Sequence, residues 1–216
     1  MKDGKNTVKV NNNQNELTFF GKITASMTHE IKNVLAIIQE SSGLLEDILV
    51  MPESENFTHK DRFISTLGRI QTQIQRGIDI TSNLNGFAHS PDNAIAQINL
   101  NDLIQHLSIL TSRFARLKRV ELVTELSDSP LIVQANSVQL QMYLFTAFEI
   151  LLQHIDSGTV KLIPVKHEDQ ILLHLHYDLL TDDQFNIIST SDQWKVLQSK
   201  MVNMGIRIVL SDDVLH

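Results

Sequence analysis

Apolar residues recur every three or four positions through residues 17–50: Phe20, Ile23, Met27, Ile31, Val34, Ile38, Ser41, Leu45 and Ile48, with Ile37 and Leu44 widening the stripe. This spacing predicts one long helix. The stretch MPESEN (51–56) breaks it, and a second stripe follows at Phe63, Leu67, Ile70, Ile74, Ile78, Thr81 and Leu84. Thr58 and Asp61 read as a capping pair at its start, and HSPDN (89–93) stops it. Each helix of about 30 residues would be about 45 Å long, and a short loop between them forces an antiparallel hairpin. Two helices alone cannot cover both stripes. A second copy, giving a four-helix bundle dimer, is the expected cover; the other solution is that the rest of the chain covers the hairpin.

Beyond Pro91 the period changes. LNDLIQHLSILTSRFARLK (100–118) is an amphipathic helix with Asn101 as N-cap, and VELVTEL (120–126) alternates like a strand. SVQLQMYLFTAFEILLQHI (137–155) is apolar on nearly every side and predicts a buried helix. TVKLIPV (159–165) and QILLHLHYD (170–178) predict a strand pair around the turn KHEDQ. SDQWKVLQSKMVNMG (191–205) is a helix stopped by glycine, and IRIVL (206–210) a last strand. The chain therefore reads as α+β in three parts: a polar, Asn-rich, frayed tail over 1–16, a helical hairpin over 17–92, and an α/β domain over 97–216.

Composition narrows the function classes. Of the 216 residues, 42% are hydrophobic and 20% charged, as in soluble globular proteins. A net charge of -7 without a Lys/Arg run argues against nucleic acid as a partner. There is no cysteine, which removes disulfides, thiol catalysis and thiolate metal sites and fits a reducing cytoplasm. No apolar run is long enough to span a bilayer, and the N-terminus lacks a signal-peptide core, so neither membrane insertion nor export is expected.

The stretch ASMTHEIKNVLAII (25–38) carries the candidate chemistry. With about 100° per residue, Ile31, Val34 and Ile38 fall close to Met27 on the apolar stripe, while His29 lies about 200° away. His29 is therefore predicted on the solvent face with Lys22, Ala25, Ser26, Lys32, Asn33, Ala36 and Glu40. A zinc-protease helix would need a second histidine one turn on, where Asn33 stands. That leaves a merely solvated histidine or a phosphoryl carrier. For the latter, Glu30 is of the type that orients or accepts a ring proton, and Asn33 of the type that positions water or a phosphate oxygen.

FFGKITASMTHEIKNVLAII resembles the phosphoacceptor box of sensor histidine kinases, whose dimerisation hairpins carry H-E-[IL]-[RKN]-[NT]-P-L after a small-residue-rich turn. The resemblance covers about residues 17–90. It implies that His29 is the phosphorylated histidine, Glu30 the adjacent acid and Asn33 the polar residue of phosphatase action. It also implies a partner-binding face of Lys22, Ala25, Ser26, Lys32 and Ala36, the alanines allowing close approach. Val34 stands where the family usually has proline.

In that family an ATP-binding α/β sandwich follows, and the element order here is similar. Its nucleotide motifs are not. Against L-x-Q-V-L-x-N-L-x-x-N-A, aligned from Leu140, this chain has Thr146 and Ile150 at the two asparagine positions. Against D-x-G-x-G it supplies Asp178 but Leu180 at the first glycine, and no glycine lies between Asp178 and Trp194 where a lid would be. The expected second domain is thus a degenerate ATPase-like sandwich without lid or cofactor. Asp178 reads as a turn residue, Glu149 as structural, and Trp194, Met142, Met201 and Met204 as core. His174 and His176 alternate on one strand face with no third ligand nearby, which predicts a solvated face.

Together these readings point to a cytoplasmic histidine phosphotransfer protein of a two-component relay, a homodimer carrying phosphate on His29 between receiver-domain aspartates. The receivers, response regulators, would bring their own Mg²⁺. No sensory segment precedes the hairpin, so input is expected from other proteins. The alternatives are a divergent active histidine kinase or phosphatase, and a receiver-binding scaffold without catalysis.

Overall fold

The computed structural model describes residues 3–50, 60–90, 95–168 and 170–211, with side chains from residue 14 onward. The loop expected at 51–56, the Thr58 cap and Pro91 lie outside the described residues. The elements in order are α1 (Asp3–Val50), α2 (Lys60–Ala88), β1 (Ala96–Asn99), α3 (Leu100–Leu117), β2 (Val120–Thr124), β3 (Ile132–Ala135), α4 (Ser137–His154), β4 (Gly158–His167), β5 (Gln170–Tyr177), α5 (Asp182–Thr190), α6 (Asp192–Val202) and β6 (Ile206–Ser211).

The chain divides into two compact units. One comprises Thr24–Phe87; the other joins Met1–Ile23 to Ala88–His216. The hairpin unit thus begins at Thr24, where the pattern of apolar positions had suggested 17. The polar stretch over 1–16, expected to fray, is also corrected: α1 is helical from Asp3. Extending an existing helix adds a hydrogen bond per residue without a new nucleation cost, and Asn-rich sequence only weakens that gain.

In the hairpin unit, α1 buries Met27, Glu30, Val34, Ser41 and Ile48, with Ile37 and Leu44 half-buried between them. These positions repeat at intervals of three and four. The single stripe expected on α2 resolves into two. An inner seam of Phe63, Thr66, Ile70, Gln73, Gly77, Ile80, Leu84 and Phe87 is buried or half-buried throughout. An outer seam of Ile64, Leu67, Gln71, Ile74, Ile78 and Thr81 is exposed at every position. Both run 3-4-3-4, and the mixed stripe read from sequence had taken members from each. Gly77 is where the helices close up: a Cβ there would meet Val34 Cγ1 at 3.3 Å.

The other unit is built on a four-stranded sheet of order β2-β4-β5-β6, with β2 parallel to β4, β4 antiparallel to β5 and β5 parallel to β6. One face carries Val160, Leu162, Leu173, Leu175, Ile206, Ile208 and Leu210, all buried, beneath a helical layer in which α3 packs on β2, α4 on α3 and α6, and α6 on β6. Trp194, Met142 and Met201 fill this core.

Two short strands escaped the sequence reading. β1 and β3 pair antiparallel, with Ile98 opposite Val133, and lead into α3 and α4 from opposite ends of the pair. Asn99, not Asn101, caps α3: its side chain accepts from Asn101 N. Asn101 is buried and donates its amide to Ser127 and Ser129 carbonyls. α5 was also missed. It opens with a capping box of Thr181 and Gln184 and docks through buried Ile188.

His174 and His176 are the clearest departure. Both are buried, and among the described residues neither Nδ1 has a hydrogen-bond partner. The solvated face expected for them is corrected because β5 is an interior strand: Ile163 and Val209 flank His174, while Lys161 and Ser211 flank His176. Burial pushes the His174 imidazole below its usual value. The unfolded chain therefore takes up a proton, as pH falls through about 6.5, that the folded chain refuses. Stability should be full above that pH and decline as pH falls toward the depressed folded value. Urea melts between pH 8 and 5 are expected to show a smaller loss for His174→Leu than for the wild type.

Candidate functional site

The chemistry gathers on two turns of α1 within the hairpin unit. His29 is exposed, as its angular position required. Asn33, one turn on and also exposed, places its Nδ2 3.2 Å from His29 Nδ1. Among the described residues nothing bonds Nε2 of this exposed side chain. Ala25, Lys32 and Ala36 are exposed on the same side of the helix. Side chains at i, i+3, i+4 and i+7 share a helix face, which gives a small-residue patch with one cation around the imidazole.

Glu30 is elsewhere. The carboxylate expected to orient the imidazole is buried in the inner seam, and its Oε2 accepts from Arg76 Nη2 at 2.6 Å. One residue of helix rotation turns it away from His29 and into the hairpin. Arg76 is the functional partner that the sequence reading missed, since nothing in the spacing tells which arginine of α2 meets α1. The Glu30 side chain is 6% exposed and that of Arg76 41%, so the pair lies at the edge of the seam with the acid inside.

Two residues of the expected partner face are also corrected. Ser26 is buried, at 2% exposure, and offers no surface to a partner. It lies next to Met27 on the apolar side of α1. Lys22 belongs to the other unit and ion-pairs with Glu149 of α4 at 2.5 Å, above the Phe145 ring. Phe19 packs on the same ring, with centroids 5.3 Å apart, and Glu16 accepts from Gln139. Residues 14–23 of α1 are thus fastened along α4.

A cavity of about 370 Å³ is lined by Lys22, Phe145, Thr146, Glu149, Ile150 and Lys200 among others. Thr146 and Ile150 supply no amide oxygen, and the Thr146 hydroxyl donates to its own helix at Met142 O. Glu149 is held by Lys22. Asp178, the residue matched to the adenine motif, accepts from Thr159 N at 2.9 Å and ties the end of β5 to the start of β4. Gly158 at φ 110 makes room for it: a Cβ there would come within 2.9 Å of Asp178 Oδ1. Leu180 and Thr181 lead directly into α5. These residues do not fit a magnesium nucleotide. Among the described residues no group of three or more His, Asp or Glu could hold a metal ion, and no helix is long and apolar enough to cross a membrane.

No family model matches the chain, and no curated protein matches it in sequence. Among solved structures it is similar to the histidine kinase AdeS of Acinetobacter baumannii, at 11% identity and a TM-score of 0.40, covering 81% of this chain and 86% of that one. It is also similar to the catalytic domain of the histidine kinase ThkA, at 18% identity and a TM-score of 0.33, covering 36% of this chain and 53% of that one. The chain thus spans about half the length of that catalytic domain. A bacterial phosphotransferase aligns at 11% identity and a TM-score of 0.37, over 72% of this chain and 64% of that one. Likenesses this loose carry no weight for chemistry; the side chains above do.

The Glu30–Arg76 pair has a measurable consequence for the platform under His29. Arg76→Met leaves a buried carboxylate without its guanidinium and is expected to cost about 1–3 kcal/mol of stability. Glu30→Gln combined with Arg76→Met should recover most of that loss. Urea denaturation followed by helical circular dichroism measures both.

Proposed function

We propose that this chain is a histidine phosphotransfer protein: His29 accepts a phosphoryl group from an aspartyl phosphate on one receiver domain and passes it to an aspartate on another. The observation that carries the reading is the exposed imidazole with Nε2 open to solvent and Asn33 engaged at Nδ1. The Nε2 lone pair attacks phosphorus as the P–O bond to the receiver carboxylate breaks, and the carboxylate leaves with the electron pair. An acyl phosphate is a good leaving group, and the receiver supplies the Mg²⁺. This chain then needs only a correctly presented nucleophile and a docking face. The poor fit of the α/β unit to a magnesium nucleotide is tolerable for such a protein and is not tolerable for a kinase.

The reading includes a homodimer in which two hairpins form a four-helix bundle. Its support is the outer seam of α2, where Ile64, Leu67, Ile74 and Ile78 are between 43% and 56% exposed in a single copy. A 3-4-3-4 apolar row of this kind matches another row of its own kind. Lys32, Ala25 and Ala36 are the proposed receiver contacts, and the protein is proposed to act in the cytoplasm without a cofactor of its own.

A receiver domain phosphorylated beforehand on aspartate is expected to transfer label to the wild-type protein and not to His29→Ala, the product being acid-labile and alkali-stable. Binding without transfer would replace the relay by a scaffold, and label from ATP appearing on His29 would replace it by a kinase. Ile74→Glu with Ile78→Glu should convert the dimer to a folded monomer in sedimentation velocity runs at micromolar concentration.

A further inference from the structure

Phosphotransfer from His29 requires a lone pair on the ring nitrogen that faces the receiver, and the contact with Asn33 determines where that lone pair is. Building on the phosphotransfer reading, we propose that Asn33 is a positioning residue that selects the tautomer of His29 and so gates the transfer. A neutral imidazole carries one proton on one of its two nitrogens. In the orientation seen, Asn33 Nδ2 donates to His29 Nδ1 across 3.2 Å. Nδ1 then holds the lone pair and Nε2 the proton. The nitrogen open to solvent has nothing to donate to phosphorus, and the nitrogen that has is capped by the amide. This is a resting state.

A half-turn of the amide about Cβ–Cγ puts Oδ1 where Nδ2 was, because the two atoms are nearly the same size. Oδ1 only accepts, so Nδ1 must carry the proton and Nε2 presents its lone pair to solvent. One hydrogen bond replaces another worth about 1 kcal/mol, so the two states lie close in energy. Attack by Nε2 forms the N–P bond, the receiver aspartate leaves as carboxylate with the electron pair, and Nδ1 keeps its proton against Oδ1. Loaded histidine therefore holds the amide in the second orientation. Transfer to the next receiver reverses these steps.

Two features of the structure favour an amide in this role. The neighbouring carboxylate is unavailable, because Glu30 is buried and bonded to Arg76. A carboxylate, moreover, would only accept and would fix the reactive tautomer permanently; an amide can do either. Asn33 is exposed, so its replacement leaves the packed seam intact.

The test uses the full chain labelled with ¹⁵N on histidine. Imidazole nitrogen shifts report which nitrogen is protonated, independently of any phosphate. Asn33→Asp, an acceptor only, should move His29 toward the Nδ1–H form, and Asn33→Leu should abolish the selection. With a receiver phosphorylated beforehand, transfer by Asn33→Asp should match or exceed the wild type, while Asn33→Leu, in which neither tautomer is selected, should be several-fold slower than Asn33→Asp. Identical nitrogen shifts in the three proteins overturn the proposal, as does an Asn33→Asp protein as slow as Asn33→Leu. Tautomer shifts as expected with no transfer in any of the three would uphold tautomer selection and sink the phosphotransfer reading.

Discussion

Each residue along α1 rotates the side-chain direction by about 100°, and the division of labour on this helix follows from that rotation. His29 and Glu30 are covalent neighbours, yet one is in water and the other inside the hairpin. The acid cannot serve the imidazole from there. It serves the helix: with Arg76 it ties α1 to α2 directly beneath the reactive turn. The next residue on the outer face within reach of the ring is Asn33, one turn on, and it makes the contact that the acid was expected to make. A buried carboxylate facing a half-exposed guanidinium adds little net stability, but it penalises any register in which the two miss each other. The pair therefore fixes the register of α1 on α2.

The α/β unit obeys a different constraint. Its inner sheet face is uniformly apolar and covered by helices, and α4 is buried on nearly every side. Thr146 bonds its own backbone, Glu149 is held by Lys22, and Asp178 ties the end of β5 to Thr159 at the start of β4. Each of these polar groups already has an internal partner.

Much of this was legible in the sequence because it rests on period. The long helices, the buried α4, the β4–β5 pair and the outward angle of His29 all follow from spacing of three, four or two. What failed was whatever depends on neighbours. Four-residue strands such as β1 and β3 are too short to show alternation, and only their pairing makes them strands. The two seams of α2 merged into one because both are 3-4 rows displaced by one position. His174 and His176 looked solvated because alternation along β5 does not tell whether the flanking strands bury it. Asn99 and Asn101 are both good caps two positions apart, and only the fold around them chooses Asn99. Arg76 could not be found at all, since hairpin register is a three-dimensional fact.

On the proposed reading, phosphoryl transfer from an acyl phosphate would set modest demands on the accepting chain, and the hairpin can be compared with them. The nucleophile must be accessible in line with a carboxylate on another protein, which excludes any side chain standing over it. Ala25 and Ala36 flank His29 on its own face and provide that clearance. The ring must also be held still, because an imidazole on a bending helix would lose the alignment that makes the reaction effectively unimolecular once docked. Close packing at Gly77 against Val34, adjacent to Arg76 and one turn from Glu30, restrains the helix at that point. Finally the proton must be on the far nitrogen, and a neighbouring amide is the least committed group that can place it there. In the proposed reading accessibility comes from small residues of α1, rigidity from its packing on the inner seam of α2 and the protonation state from Asn33, so a loss of register between α1 and α2 would disturb the platform on which the others stand.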